Sequence, residues 1–79
     1  MTNLEKYKKI FAQTLEISEE QLTGLTYQSI PAWDSVGHMM LTSSLEHAFD
    51  IIFDTDDIID FNSFEKGIEI LKKYGVQLN

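Results

Sequence analysis

The sequence predicts a small all-α bundle, three longer helices and one short one, within a single domain spanning residues 1–79. Three observations predict it. Apolar residues recur at three- and four-residue steps, residues of helix-capping type stand before the periodic stretches, and no stretch alternates as a strand would.

The first helix is expected to begin at Thr2, which forms a capping box with Glu5, and to end near Glu16. Leu4, Tyr7, Phe11 and Leu15 supply its apolar stripe. A long connection follows from Ile17 to Asp34. In it, Ser18 and Gln21 can cap a short turn, with Ile17 and Leu22 as a hydrophobic staple across it. Gly24 breaks the pattern, and Pro31, the only proline, biases Ile30 away from helix. Leu22, Leu25, Tyr27 and Ile30 are available to pin this loop. Trp33 at its end is expected to pack it against the bundle.

The second helix is predicted over Ser35–Phe49, with Asp34 as its N-cap. Val36, Met39, Met40, Leu45, Ala48 and Phe49 are expected to form its buried side, with Leu41 adding to it. Met39 and Met40 diverge by about 100° on a helix. One is therefore expected in the core, and Met40 as an exposed apolar contact. Gly37 in the first turn lowers helix propensity. Asp54 is expected to cap a short third helix, Thr55–Asp60, stapled by Phe53 and Ile58. Asn62 with Glu65 has capping-box form for a fourth helix. Its stripe is Phe64, Ile68, Leu71 and Tyr74, and Gly75 is its stop.

Composition narrows the function. The chain has 79 residues, no cysteine and two histidines, which excludes disulfides, thiolate metal sites and a cysteine nucleophile. The net charge is -7, and residues 34–62 hold all of it, with seven acids and no lysine or arginine. This balance argues against nucleic acid and anionic membranes and suits partners with basic surfaces. No apolar run approaches a membrane span, and Met1–Lys6 does not read as a signal peptide, so a cytoplasmic monomer is the expectation. Asp54, Asp56 and Asp57 do not make a calcium loop, because Ile58 and Ile59 stand at its fifth and sixth positions, and no metal site is expected.

The segment that can carry chemistry is Ala32-Trp33-Asp34-Ser35-Val36-Gly37-His38-Met39. It places a serine at a helix start, where free amides and the helix dipole favour an attached phosphate. Those are equally the conditions of an ordinary helix-start serine. His38, three residues on, invites a hydrolase reading with Ser35 and Asp34. Three groups on one turn do not, however, put an aspartate on the far imidazole nitrogen or build an oxyanion hole.

Asp34-Ser35-Val36 resembles the Asp-Ser-Leu attachment motif of acyl carrier proteins and related carrier domains. The likeness continues through Leu41, Leu45-Glu46, Phe49-Asp50, the acidic segment Asp54–Asp60, and Phe64, Ile68 and Leu71. The resemblance implies that Ser35 accepts 4′-phosphopantetheine from coenzyme A through a separate phosphopantetheinyl transferase. The arm would then hold an acyl or aminoacyl group as a thioester, so the chain would be a carrier and not an enzyme. Asp34 would be the motif's aspartate. Val36, His38, Met40, Glu46, Asp54, Asp56 and Asp57 would form the surface read by loading and processing enzymes. Cargo in this family can fold back between the helices, and here Leu45, Phe49, Ile58, Phe61 and Ile68 would line its path. The sequence departs from fatty-acid carriers at Ala32 and Trp33, where a glycine usually precedes the motif. It departs again at Gly37, His38 and Met40, where acids are usual. The expected partners are therefore those of a specialised acyl, polyketide-like or aminoacyl route as much as of fatty-acid synthesis. The alternatives are an unmodified interaction module of the same fold and a small serine hydrolase.

Overall fold

The structure is a computed structural model and describes residues 1–78. The chain forms α1 (Asn3–Leu15), a 3₁₀ turn (Glu19–Gln21), α2 (Ser35–Phe49), α3 (Thr55–Asp60) and α4 (Phe64–Lys73). This is the all-α bundle of three longer helices and one short one that the sequence predicts. Its radius of gyration is 11.3 Å, close to the ~12 Å expected of a folded domain of this length. No described helix is long and apolar enough to cross a membrane.

The start of α1 is the capping box. The Glu5 amide donates to Thr2 Oγ1 at 3.1 Å, and the Thr2 amide donates to Glu5 Oε1 at 3.1 Å. The Thr2 backbone amide first, and the Thr2 hydroxyl second, hold the Glu5 carboxyl below the usual carboxylate range. The stripe set by helical spacing buries Tyr7, Phe11 and Leu15. Phe11 is the hub of the core. Its ring lies 5.1 Å from Trp33, 5.4 Å from Phe64 and 6.2 Å from Phe61, which joins α1 to the long loop, α4 and the end of α3. The Tyr7 hydroxyl donates to the Phe64 carbonyl at 2.8 Å. Burial pushes this phenol far above its ordinary pKa, with Glu65 adding to the effect.

The loop between α1 and α2 is ordered by the residues expected to pin it. Leu22 and Leu25 are buried, and Trp33 is wholly enclosed. Two backbone bonds also fasten it to the α3–α4 linker: Tyr27 to the Asn62 carbonyl at 2.8 Å and Phe64 to the Leu25 carbonyl at 2.9 Å. They pair Thr26 with Ser63 as an isolated antiparallel bridge. This bridge corrects the expected start of α4. It holds Ser63 extended, so the cap is Ser63, whose hydroxyl accepts from the Lys66 amide at 2.9 Å.

Three further expectations are corrected. Val36 and Met39 are 68 and 59% exposed, not buried, while Met40 is the exposed apolar residue expected; the buried face of α2 keeps Leu41 and Leu45 and adds Gly37 and Thr42. The reason is tertiary: α2 packs on α1 through the Leu41–Leu45 side, and a helix buries only the face its neighbour covers. Asp54 stands at the cap position of α3, but its side chain makes no capping hydrogen bond. Its backbone carbonyl instead accepts from Asp57 and Ile58. On α4, Ile70 and Gly67 join Phe64 and Leu71 in the core, and Ile68 is only partly buried. A side chain at Gly67 would run into the Tyr7 hydroxyl and the Phe61 ring. α4 stops at Gly75, whose φ of 85° few other residues adopt readily. The tail then returns to α1, where the Leu4 amide donates to the Leu78 carbonyl at 3.0 Å.

Candidate functional site

The site grows out of one helix start. Asp34 Oδ1 accepts from the Gly37 amide at 2.8 Å, and the Asp34 carbonyl accepts from His38 at 2.8 Å. This is the N-cap that the sequence predicts. It makes Ser35 the first helical residue, on a rigid element and exposed to solvent. The amides of Ser35 and Val36 are first-turn donors with no intrahelical acceptor. The Tyr27 hydroxyl lies 3.3 Å from Ser35 Oγ. Gly37 has a reason stronger than propensity: a Cβ there would collide with the Ala32 carbonyl oxygen. Its absence lets the incoming loop lie against the first turn of α2.

His38 occupies a different place from the surface contact expected of it. It is half-buried and bonded through both ring nitrogens. Its Nδ1 lies 3.0 Å from Trp33 Nε1, and its Nε2 lies 2.8 Å from the Ile58 carbonyl oxygen. An indole N–H only donates, so Nδ1 accepts. A carbonyl only accepts, so Nε2 carries the proton. His38 is thus a neutral bridge linking the long loop, α2 and α3. Neither nitrogen is left to take a proton from Ser35, and the arrangement lacks the hydrogen bond that a serine nucleophile needs.

Beside Ser35 lies an open groove of about 330 Å³ between α2 and α3, lined by Tyr27, Ser35, His38, Met39, Ile58, Ile59, Phe61 and Asn62. Around it the surface is apolar, with Val36, Met39, Met40 and Ile59 all more than half exposed. Of the residues expected to line a cargo path, the groove brings together Ile58 and Phe61. Leu45 is wholly core, and Ile68 packs against the core from α4. Phe49 lies under the Lys6 ammonium, 5.0 Å from its ring centroid, in a separate cleft toward the chain's tail. Tyr27, Ile59 and Asn62 were not read as site residues. The backbone bond of Tyr27 to Asn62 joins segments 35 residues apart at the groove, and α3 brings Ile59 to it.

The acids divide into two groups. Asp54, Asp56 and Asp60 are exposed along α3. Glu46 and Asp57, expected on a docking surface, are used internally. Glu46 Oε2 accepts from the Phe53 amide at 2.8 Å and closes the turn after α2. Asp57 is buried, bonded to Lys73 Nζ at 2.8 and 3.0 Å and to the Tyr74 hydroxyl at 2.6 Å. The Lys73 bond first, and the Tyr74 bond second, hold its carboxyl below the usual range, and the same contacts raise Lys73 and Tyr74. No family model, curated protein or solved structure matches this chain.

Proposed function

We propose that the protein is a carrier, holding an acyl or aminoacyl group as a thioester on a 4′-phosphopantetheine arm attached to Ser35. The observation that carries this reading is the setting of Ser35. It is an exposed hydroxyl at the first residue of a capped helix, with an apolar groove at its side. The residues present fit such an arm. The Ser35 and Val36 amides and the positive end of the α2 dipole favour a phosphodiester, and Tyr27 stands within reach as a further donor. Ser35 Oγ would become the bridging ester oxygen, while the nucleotide part of coenzyme A departs. The apolar surface of Val36, Met39, Met40 and Ile59, flanked by Asp54, Asp56 and Asp60, suits enzymes that present an apolar contact within a basic rim.

The engagement of both His38 nitrogens weighs against the hydrolase alternative. Incubation with coenzyme A and a broad-specificity phosphopantetheinyl transferase, followed by intact mass, tests the carrier reading. One added arm is expected on the native chain and none on Ser35→Ala. An unmodified native chain would leave the interaction module of the same fold as the better account.

A further inference from the structure

We propose that His38 locks the seam between α2 and α3, so that cargo stays in the surface groove and the site takes short acyl or aminoacyl groups, not long chains. This rests on the carrier reading. A long chain would gain most by leaving water between the helices, and the seam beside Ser35 is its nearest way in. That seam is closed in three ways. His38 ties α2 to the Ile58 carbonyl at 2.8 Å and to the Trp33 indole at 3.0 Å. Opening it breaks both bonds and leaves the indole N–H of a wholly buried tryptophan without an acceptor.

Rings fill the space behind the bridge. Trp33 stacks on His38 at 6.1 Å, and Phe61 stands edge-on to both, 5.8 Å from His38 and 6.4 Å from Trp33. Phe61 lines the groove, is itself buried, and is backed by α4. Gly67 of α4 lies so close behind it that even a methyl group there would collide with its ring.

What remains is the groove itself. At about 330 Å³, it is at the low end of the ~300–1,000 Å³ typical of small-molecule sites. Its lining is mixed. Met39, Ile58, Ile59 and Phe61 provide apolar contact, while Tyr27 and Asn62 offer polar groups that suit a short or amine-bearing cargo. His38 acts here as a positioning residue, through Trp33 and Ile58.

The test loads Ser35 with acetyl-, octanoyl- or palmitoyl-phosphopantetheine from the corresponding acyl-coenzyme A. It then reads the melting temperature and the emission of Trp33, the only tryptophan. Wild-type melting temperatures should agree across the series within about 4 °C, with the same emission maximum. A palmitoyl form more stable than the acetyl form by more than that, or a chain-length-dependent emission shift, would overturn the proposal. In His38→Ala the chain-length dependence should appear, and a folded variant that stays flat would also overturn it. If His38→Ala does not fold, Phe61→Leu, which puts a smaller side chain in the groove lining, carries the same expectation. Intact mass of each sample reports loading separately. Failure to load removes the carrier reading, whereas a loaded protein that shelters long chains removes only the locked seam.

Discussion

α1 and α2 are similar in length and lie against each other, yet they use their apolar residues in opposite ways. In α1 Tyr7, Phe11 and Leu15 of the periodic stripe are buried and Leu4 is partly so. In α2 Val36, Met39 and Met40 stay in solvent, and burial falls to Gly37, Leu41, Thr42 and Leu45. The difference separates the apolar residues that the core requires from those it leaves in solvent. α1 is a helix whose sequence serves the core. α2 offers a second apolar face that the fold does not need, and that face begins at Ser35. Large exposed apolar side chains grouped on one surface mark contact sites in soluble proteins.

Substitutions can break this contrast. The largest effect is expected from Phe11→Ala, which removes the ring shared by the core. It should cost about 3–5 kcal/mol, comparable to the whole margin of a domain this small. Thermal melts followed by circular dichroism should lose their cooperative transition. A similar loss from Met40→Ala would erase the distinction between the helices. Gly37→Ala should cost about 1–3 kcal/mol by overpacking, because the added methyl meets the Ala32 carbonyl. A stabilised Gly37→Ala, as propensity alone predicts, would show that the loop does not press on the first turn of α2.

Asp57→Asn sharpens the contrast between internal and exposed acids. The Asp57 carboxyl is lowered in the fold, so its contribution is present above the ordinary carboxylate pKa and fades as pH falls through the lowered value. The variant should be less stable than the native chain at pH 7. Its deficit should shrink steadily below about pH 4, as read from urea midpoints. Asp56→Asn, on the exposed side of α3, should show neither effect. Met40→Gln should likewise leave stability within about 0.5 kcal/mol of the native chain. Transfer of the arm to that variant should nevertheless slow roughly tenfold, the equivalent of ~1.4 kcal/mol of lost recognition. An unchanged rate would mean that the α2 face is not read by the transferase.

Much of this was legible in the sequence wherever local chemistry decides. The Thr2–Glu5 box, the Asp34 cap, the bounds of α2 and the Gly75 stop all depend on residues within a turn of one another. The candidate serine could be placed for the same reason. What could not be read depends on distant partners. Apolar residues lie around much of α2, so periodicity alone does not tell Leu41 from Met39; the position of α1 does. Ser63 displaces Asn62 as the cap of α4 because the loop at Thr26 pairs with it. His38 faces the Ile58 carbonyl twenty residues away, so its role as a bridge leaves no local signature. Glu46 and Asp57 look like any other acids of the charged middle segment until Phe53, Lys73 and Tyr74 are brought beside them.

The central claim is that Ser35 is an attachment point, and peptide-level mass spectrometry after treatment with coenzyme A and transferase tests it most directly. The account predicts one arm, on the fragment carrying Ser35, with Ser29, Ser43 and Ser44 bare. An arm on another serine, or on none, would contradict it.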